Sequence, residues 1–139
     1  MPPRFDSSSL QLKKGPGEIS VDRELASRAP LASHPTRVMV RISMKAPAPD
    51  GLWSPGERPA LEELEARVAQ SFEQDGCHEV GRVVTAGIVD LYFYGPALLT
   101  DERTAAALRS SARGYEIEWG AGPDPEWREY FEKLLRTGS

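Results

Sequence analysis

Between Thr36 and Trp119 the apolar residues recur first at every second position, then at every third or fourth, then at every second again through two runs. A further helical stretch and a last strand-like run follow. That order of periods limits the fold more than any single motif does. Thr36 to Lys45 sets Val38, Val40, Ile42 and Met44 on one face and Arg37, Met39, Arg41 and Ser43 on the other, which reads as a strand. Three prolines and two glycines between Ala46 and Glu57 make a loop. Leu61, Leu64, Val68 and Phe72 then mark an amphipathic helix over about 58–74, with Pro59 in its first turn and Gly76 as its stop. Val80 to Thr85 and Ile88 to Tyr94 read as a hairpin. Thr100, Asp101 and Glu102 open a second helix lined by Ala105, Leu108 and Ala112 up to Gly114. Tyr115, Ile117 and Trp119 alternate with Glu116 and Glu118 in a short strand that Gly120-Ala121-Gly122 is expected to end.

Strand, helix, hairpin, helix, strand is the ferredoxin-like β-α-β-β-α-β order. It predicts an α+β domain with a four-stranded antiparallel sheet and both helices on one face, its core at about 36–120. For the hairpin, a three-residue loop at Thr85-Ala86-Gly87 is the expected closure, because it pairs Val83 with Val89 on the core side and sets Arg82 opposite Asp90. The second sheet face is then open and carries Arg41, Arg82, Asp90, Tyr92 and Tyr94. Those five residues are the candidate binding site.

Outside this unit, residues 1–17 hold Pro, Gly, a Ser triplet and two lysines with little to bury, and read as a flexible leader to a single domain over 18–139. Ile19 and Val21 alternate with polar neighbours and suggest an extra edge strand near 18–25. At the other end, Asp124-Pro125-Glu126 opens a helix over about 124–136, whose Trp127, Tyr130, Phe131, Leu134 and Leu135 share one face. A face that apolar must dock against something, and this helix and the strand near 18–25 are the expected cover of the second sheet face over Tyr92 and Tyr94.

Charge and chemistry narrow the function by exclusion. Seventeen Lys and Arg against 21 Asp and Glu leave a net charge of −4, a poor field for nucleic acid, and Ile88–Gly95 lacks the basic-Gly-aromatic pattern of RNA-recognition strands despite Tyr92 and Tyr94. No stretch has the length and apolarity of a signal peptide or a membrane span, and a single cysteine fits a reducing compartment, so the cytoplasm is the expected location. Cys77 and His78 could suggest a thiol nucleophile and its base, but neighbours on an extended chain project to opposite sides. With His34 they show no metal-ligand spacing, and the glycines of KKGPGE and WGAGPDPE follow no phosphate-loop order, so no cofactor, metal or catalytic residue is expected. Glu62, Glu63 and Glu65, like Asp124, Glu126 and Glu129, sit near helix starts, where they favour the dipole.

The segments RVMVRI, PDGLWSPGERPALEELEARV, VGRVVTAGIVDLYFYGP and DPEWREYFEKLL together resemble the family called domain of unknown function 695 across nearly all of residues 36–136. The family's usual Asn-Gly turn and the Arg-Glu pair after it are replaced here by Ala86-Gly87 and Val89-Asp90. More distantly, the layout is similar to the regulator of ribonuclease E activity B family, acidic bacterial proteins that inhibit a ribonuclease by binding it. Neither resemblance implies a catalytic residue. The expected function is a non-enzymatic interaction or regulatory domain that binds a protein partner or a second copy of itself. The alternatives are a small-molecule site or enzyme in a cleft on the open sheet face, or a ribonuclease-inhibitor-like regulator.

Overall fold

The computed structural model describes residues 6–12, 15–97, 102, 105, 106, 108, 109, 112 and 114–136. Its strands are β1 (Asp6–Leu12), β2 (Gly15–Val21), β3 (Thr36–Ser43), β4 (His78–Thr85), β5 (Ile88–Gly95) and β6 (Ile117–Pro123). A 3-10 turn (Arg23–Ser27) follows β2, helix α1 (Arg58–Gln74) follows β3, and a short π-helix (Glu129–Leu135) closes the chain. All six strands form one antiparallel sheet in the order β1-β2-β4-β5-β3-β6, so the chain is α+β. The expected second helix lies largely outside the described residues. Glu102, Ala105, Ala106, Leu108 and Arg109 are helical, while Thr100 and Asp101 are not described.

The periodicities that define β3 and α1 translate directly into burial. Val38, Val40 and Ile42 are fully buried, and against them α1 presses Leu61, Leu64, Val68, Ala69 and Phe72. Val84, Val89, Leu91, Phe93 and Leu108 complete this first core. Glu57 ties the long loop to the start of α1, its two oxygens accepting from the backbone N–H of Lys45 and Ala46 at 2.8 Å and from the Tyr115 hydroxyl at 2.8 Å. Burial resists ionisation of Glu57, yet these donors prevail and hold its carboxyl below the usual range.

Several expectations are corrected by tertiary contacts. Residues 6–12, read as leader, form β1, which pairs with β2 from Asp6↔Val21 to Leu12↔Gly15. β2 is not an edge strand, since it lies between β1 and β4. Gly120-Ala121-Gly122 does not end the last strand but continues it to Pro123, paired along β3.

The hairpin register also differs. Thr85 pairs with Ile88, leaving a two-residue turn of Ala86 (φ 52°) and Gly87 (φ 78°), the geometry whose twist matches paired strands. The Gly87 N–H donates to the Gly51 carbonyl at 2.7 Å and the Gly87 carbonyl accepts from Met44 N–H at 2.9 Å, so the long loop braces the turn. Val84 therefore faces Val89, and Arg82 faces Leu91 on the α1 side. An irregularity between Glu79 and Gly81 returns Val80 to the opposite face, where it is fully buried.

The second sheet face is covered. Ile19, Val21, Leu25, Val80, Val83, Tyr92 and Tyr94 pack there against Trp127, Tyr130 and Leu134 of the C-terminal segment. Asp124 organises that segment: its carboxylate accepts from the backbone N–H of Arg128 at 2.9 Å and of Glu129 at 3.1 Å. The amphipathic face read at 124–136 thus docks on this sheet face, although the helical span is Glu129–Leu135.

Candidate functional site

The five candidate residues do not line one open face. Arg41, Asp90, Tyr92 and Tyr94 lie on the side of the C-terminal segment, whereas Arg82 lies beneath α1. Arg41 and Asp90 are opposite each other on β3 and β5. Nε of Arg41 donates to Oδ1 at 2.8 Å and its terminal nitrogen to Oδ2 at 3.1 Å, a two-pronged pair. That bond and the Asp90 charge raise the Arg41 pKa, and Glu118, across from Arg41 on β6, adds to the effect.

Tyr92 and Tyr94 are both fully buried, and each has a structural partner. The Tyr92 hydroxyl accepts from Lys133 Nζ at 2.9 Å. The Tyr94 ring stacks on Trp127 at a centroid distance of 4.2 Å and an angle of 12°. Its hydroxyl donates to Asp124 Oδ2 at 2.6 Å and accepts from Tyr130 N–H at 3.3 Å. Burial, with the Asp124 carboxylate beside it, drives the Tyr94 phenol far above its ordinary range. The same bond helps hold Asp124 below the usual carboxylate range against its own desolvation. These tyrosines are core members.

Arg82 organises a different site. Its guanidinium donates to Glu65 Oε1 at 2.7 Å, Ser20 Oγ at 3.1 Å and Glu18 Oε1 at 3.4 Å. Trp53 from the long loop lies against it, with the Arg82 guanidinium 4.7 Å and that of Arg58 4.6 Å from its ring centre. Glu79 sits beside this group, 4% exposed. Burial, the Glu65 charge and a hydrogen bond to Glu65 push its pKa well above the usual range. Among the described residues, Glu79 Oε2, Arg82 Nε and Trp53 Nε1 are buried without a hydrogen-bond partner. The periodicity of β4 concealed the cluster, because Val83 and Val84 are both apolar and either parity suits a core.

Cys77 and His78 diverge. The Cys77 thiol is buried, its pKa raised to about 11 by desolvation, while His78 Nε2 lies 3.2 Å from Asp22 Oδ2. A thiol that stays protonated at neutral pH, away from its neighbouring imidazole, is no nucleophile. Among the described residues no group of three or more His, Cys, Asp or Glu is placed to hold a metal ion. Nor is any described helix long and apolar enough to cross a membrane.

An accessible feature of the described residues is the β6 edge. Ser43 N–H donates to Glu116 O at 3.2 Å and Asp124 N–H to Pro35 O at 2.8 Å, both in the β3–β6 register. In an antiparallel ladder such bonded pairs recur at every second residue, so Glu118, Gly120 and Gly122 bond inward to β3. The backbone groups of Ile117, Trp119 and Ala121 consequently point to the outer edge, where no described strand pairs with them. A groove of about 220 Å³ runs beside this edge, lined by Ala105, Leu108, Ala112, Tyr115, Ile117 and Trp119 together with Arg109. The sequence set these apolar residues on the faces of a helix and a strand, but not the groove between them or the open edge, since Gly120-Ala121-Gly122 masked the strand's continuation.

No curated protein and no solved structure matches the chain. The model for the family of unknown function DUF695 matches residues 7–135, and by that match the chain belongs to this family.

Proposed function

We propose that this chain is a non-enzymatic interaction domain that binds protein by adding a strand to the outer edge of β6. One observation carries the reading: the outward N–H and C=O groups of Ile117, Trp119 and Ala121 lack a described strand partner and run beside an apolar groove. An edge of this kind is a template for backbone pairing, and adjacent pockets select the side chains that accompany it. The opposite edge, β1, offers Ser7, Ser8 and Ser9 and no comparable apolar groove among the described residues. The sheet order β4-β5-β3-β6, with a helix after β3 and helical residues after β5, supports the reading of the inner unit as ferredoxin-like, extended by the β1–β2 hairpin.

The test is capture of a protein partner by the wild type and by Ala121→Pro. Because the Ala121 N–H points away from β3, proline there removes an outward donor and spares the ladder within the domain. Binding should be lost while the far-ultraviolet spectrum is kept. Equal capture by both proteins would sink the reading. A ribonuclease captured by the wild type and lost with Ala121→Pro would give the ribonuclease-inhibitor reading its first direct support.

A further inference from the structure

Resting on the β6 reading, we infer that the strand added to this edge is β6 of a second copy, placed by a two-fold axis at Trp119. Only positions 117, 119 and 121 present outward donors and acceptors, and position 123 is proline, which presents a carbonyl but no N–H. Three antiparallel registers bring two or more of these positions into bonded pairs with one another. Centring on Glu118 sets two Glu118 side chains directly opposite each other in the close, non-bonded pair, a like-charge contact. Centring on Gly120 pairs Ile117 with Pro123 of the other copy and leaves the Ile117 carbonyl without a donor. Centring on Trp119 pairs Trp119 with itself and Ile117 with Ala121, so every outward N–H and C=O of the three residues is matched.

Charge supports the same register. With Trp119 on the axis, Glu118 faces Gly120 and Glu116 faces Gly122 of the other copy, so each acid lies opposite a residue without a side chain. Around Gly120 and Gly122 the structure has open space, with no atom within 4 Å of where a Cβ would stand. Each Glu118 also keeps Arg41 beside it on β3. On the α1 side the two Trp119 rings come together at the end of each copy's apolar groove, taking the part of this half-buried ring that still meets water out of it. A self-complementary patch is what a two-fold dimer requires.

Sedimentation equilibrium of the full chain should report twice its 15.3 kDa mass, and Ala121→Pro should return it to monomer at concentrations where the wild type is dimeric. The register is read by disulfide capture. In a bonded antiparallel pair the Cα atoms are about 5.5 Å apart, within the range a disulfide spans. Trp119→Cys should therefore cross-link to itself under oxidised glutathione, with Glu118→Cys and Gly120→Cys reporting the two rejected registers. The native Cys77 is buried and does not compete. Far-ultraviolet spectra of each variant separate loss of pairing from loss of fold, and the cysteine variants stand independently if the proline variant does not fold. A wild type that is monomeric throughout, a dimer indifferent to Ala121→Pro, or cross-linking at 118 or 120 in place of 119 would overturn the inference. A monomer that binds another protein in an Ala121-dependent way would overturn it while leaving the proposed function intact.

Discussion

The two faces of the sheet bury polar atoms by different rules. Beneath the C-terminal segment, the Tyr94 hydroxyl meets Asp124, Tyr130 donates to Asp22 O at 2.6 Å, Trp127 Nε1 donates to His34 O at 2.8 Å, and Tyr92 accepts from Lys133. Beneath α1, a largely aliphatic core adjoins an ionic group in which Trp53 Nε1, Glu79 Oε2 and Arg82 Nε have no partner among the described residues. The first face is an aromatic core whose polar tips are used as fasteners. The second holds charges by mutual compensation, and the conflict appears as the raised pKa of Glu79. Desolvation decides which solution is available: a phenol or indole needs one partner, whereas two neighbouring carboxylates beside one guanidinium cannot both ionise at low cost.

Breaking the aromatic face should have the largest effect. Trp127→Ala removes the stack on Tyr94, the edge contact to Tyr130 and a buried hydrogen bond, and should lower stability by about 3 to 5 kcal/mol in urea unfolding. Arg82→Met attacks the other face by leaving Glu65 without its buried cation. A loss of about 3 kcal/mol is expected by the same measurement, and a neutral result would show that the cluster contributes no net compensation.

Asp124→Asn should cost about 1 to 2 kcal/mol at neutral pH, as it weakens the cap of the C-terminal segment and the charge-assisted bond from Tyr94. Because the folded pKa of Asp124 is lowered, its contribution is present above the unfolded value near 3.8 and is lost as the pH falls through the folded one. The variant should lose that part of the acid dependence. Glu79→Gln should have the smallest effect and the opposite sign. With its folded pKa raised, Glu79 favours the folded state most when protonated in both states, and stability falls as the pH rises from the unfolded pKa towards the folded one. Replacing the acid by a neutral amide should remove that fall and stabilise the protein at neutral pH, read from urea midpoints on the acid and neutral sides. Equal pH slopes for wild type and variant would show that Glu79 is ionised when folded.

Much of this contrast was legible in the chain, but unevenly. Val38, Val40 and Ile42 announce their face because Met39 and Arg41 alternate with them, and Trp127, Tyr130 and Leu134 announce theirs by helical spacing. Val83 and Val84 announce nothing, since two adjacent valines satisfy either parity. The face taken by Arg82 followed from Ala86 and Gly87 closing a two-residue turn, and from Glu65, Glu18 and Trp53 arriving from three other elements. β1 has a serine-rich sequence with little alternation, and it is a strand because the edge of β2 offers it a ladder.

By itself the sequence determined which segments are amphipathic, where the chain must turn, and that an apolar C-terminal face needed a surface to cover. Periodicity is a local property, set by how each residue's side chain projects from its own backbone. The tertiary structure alone decided the register of the hairpin, the gathering of Glu65, Glu79 and Arg82, and the open edge at Ile117, Trp119 and Ala121. Those outcomes depend on which distant backbone and side-chain groups come to lie opposite one another, and no spacing within a single segment carries that information.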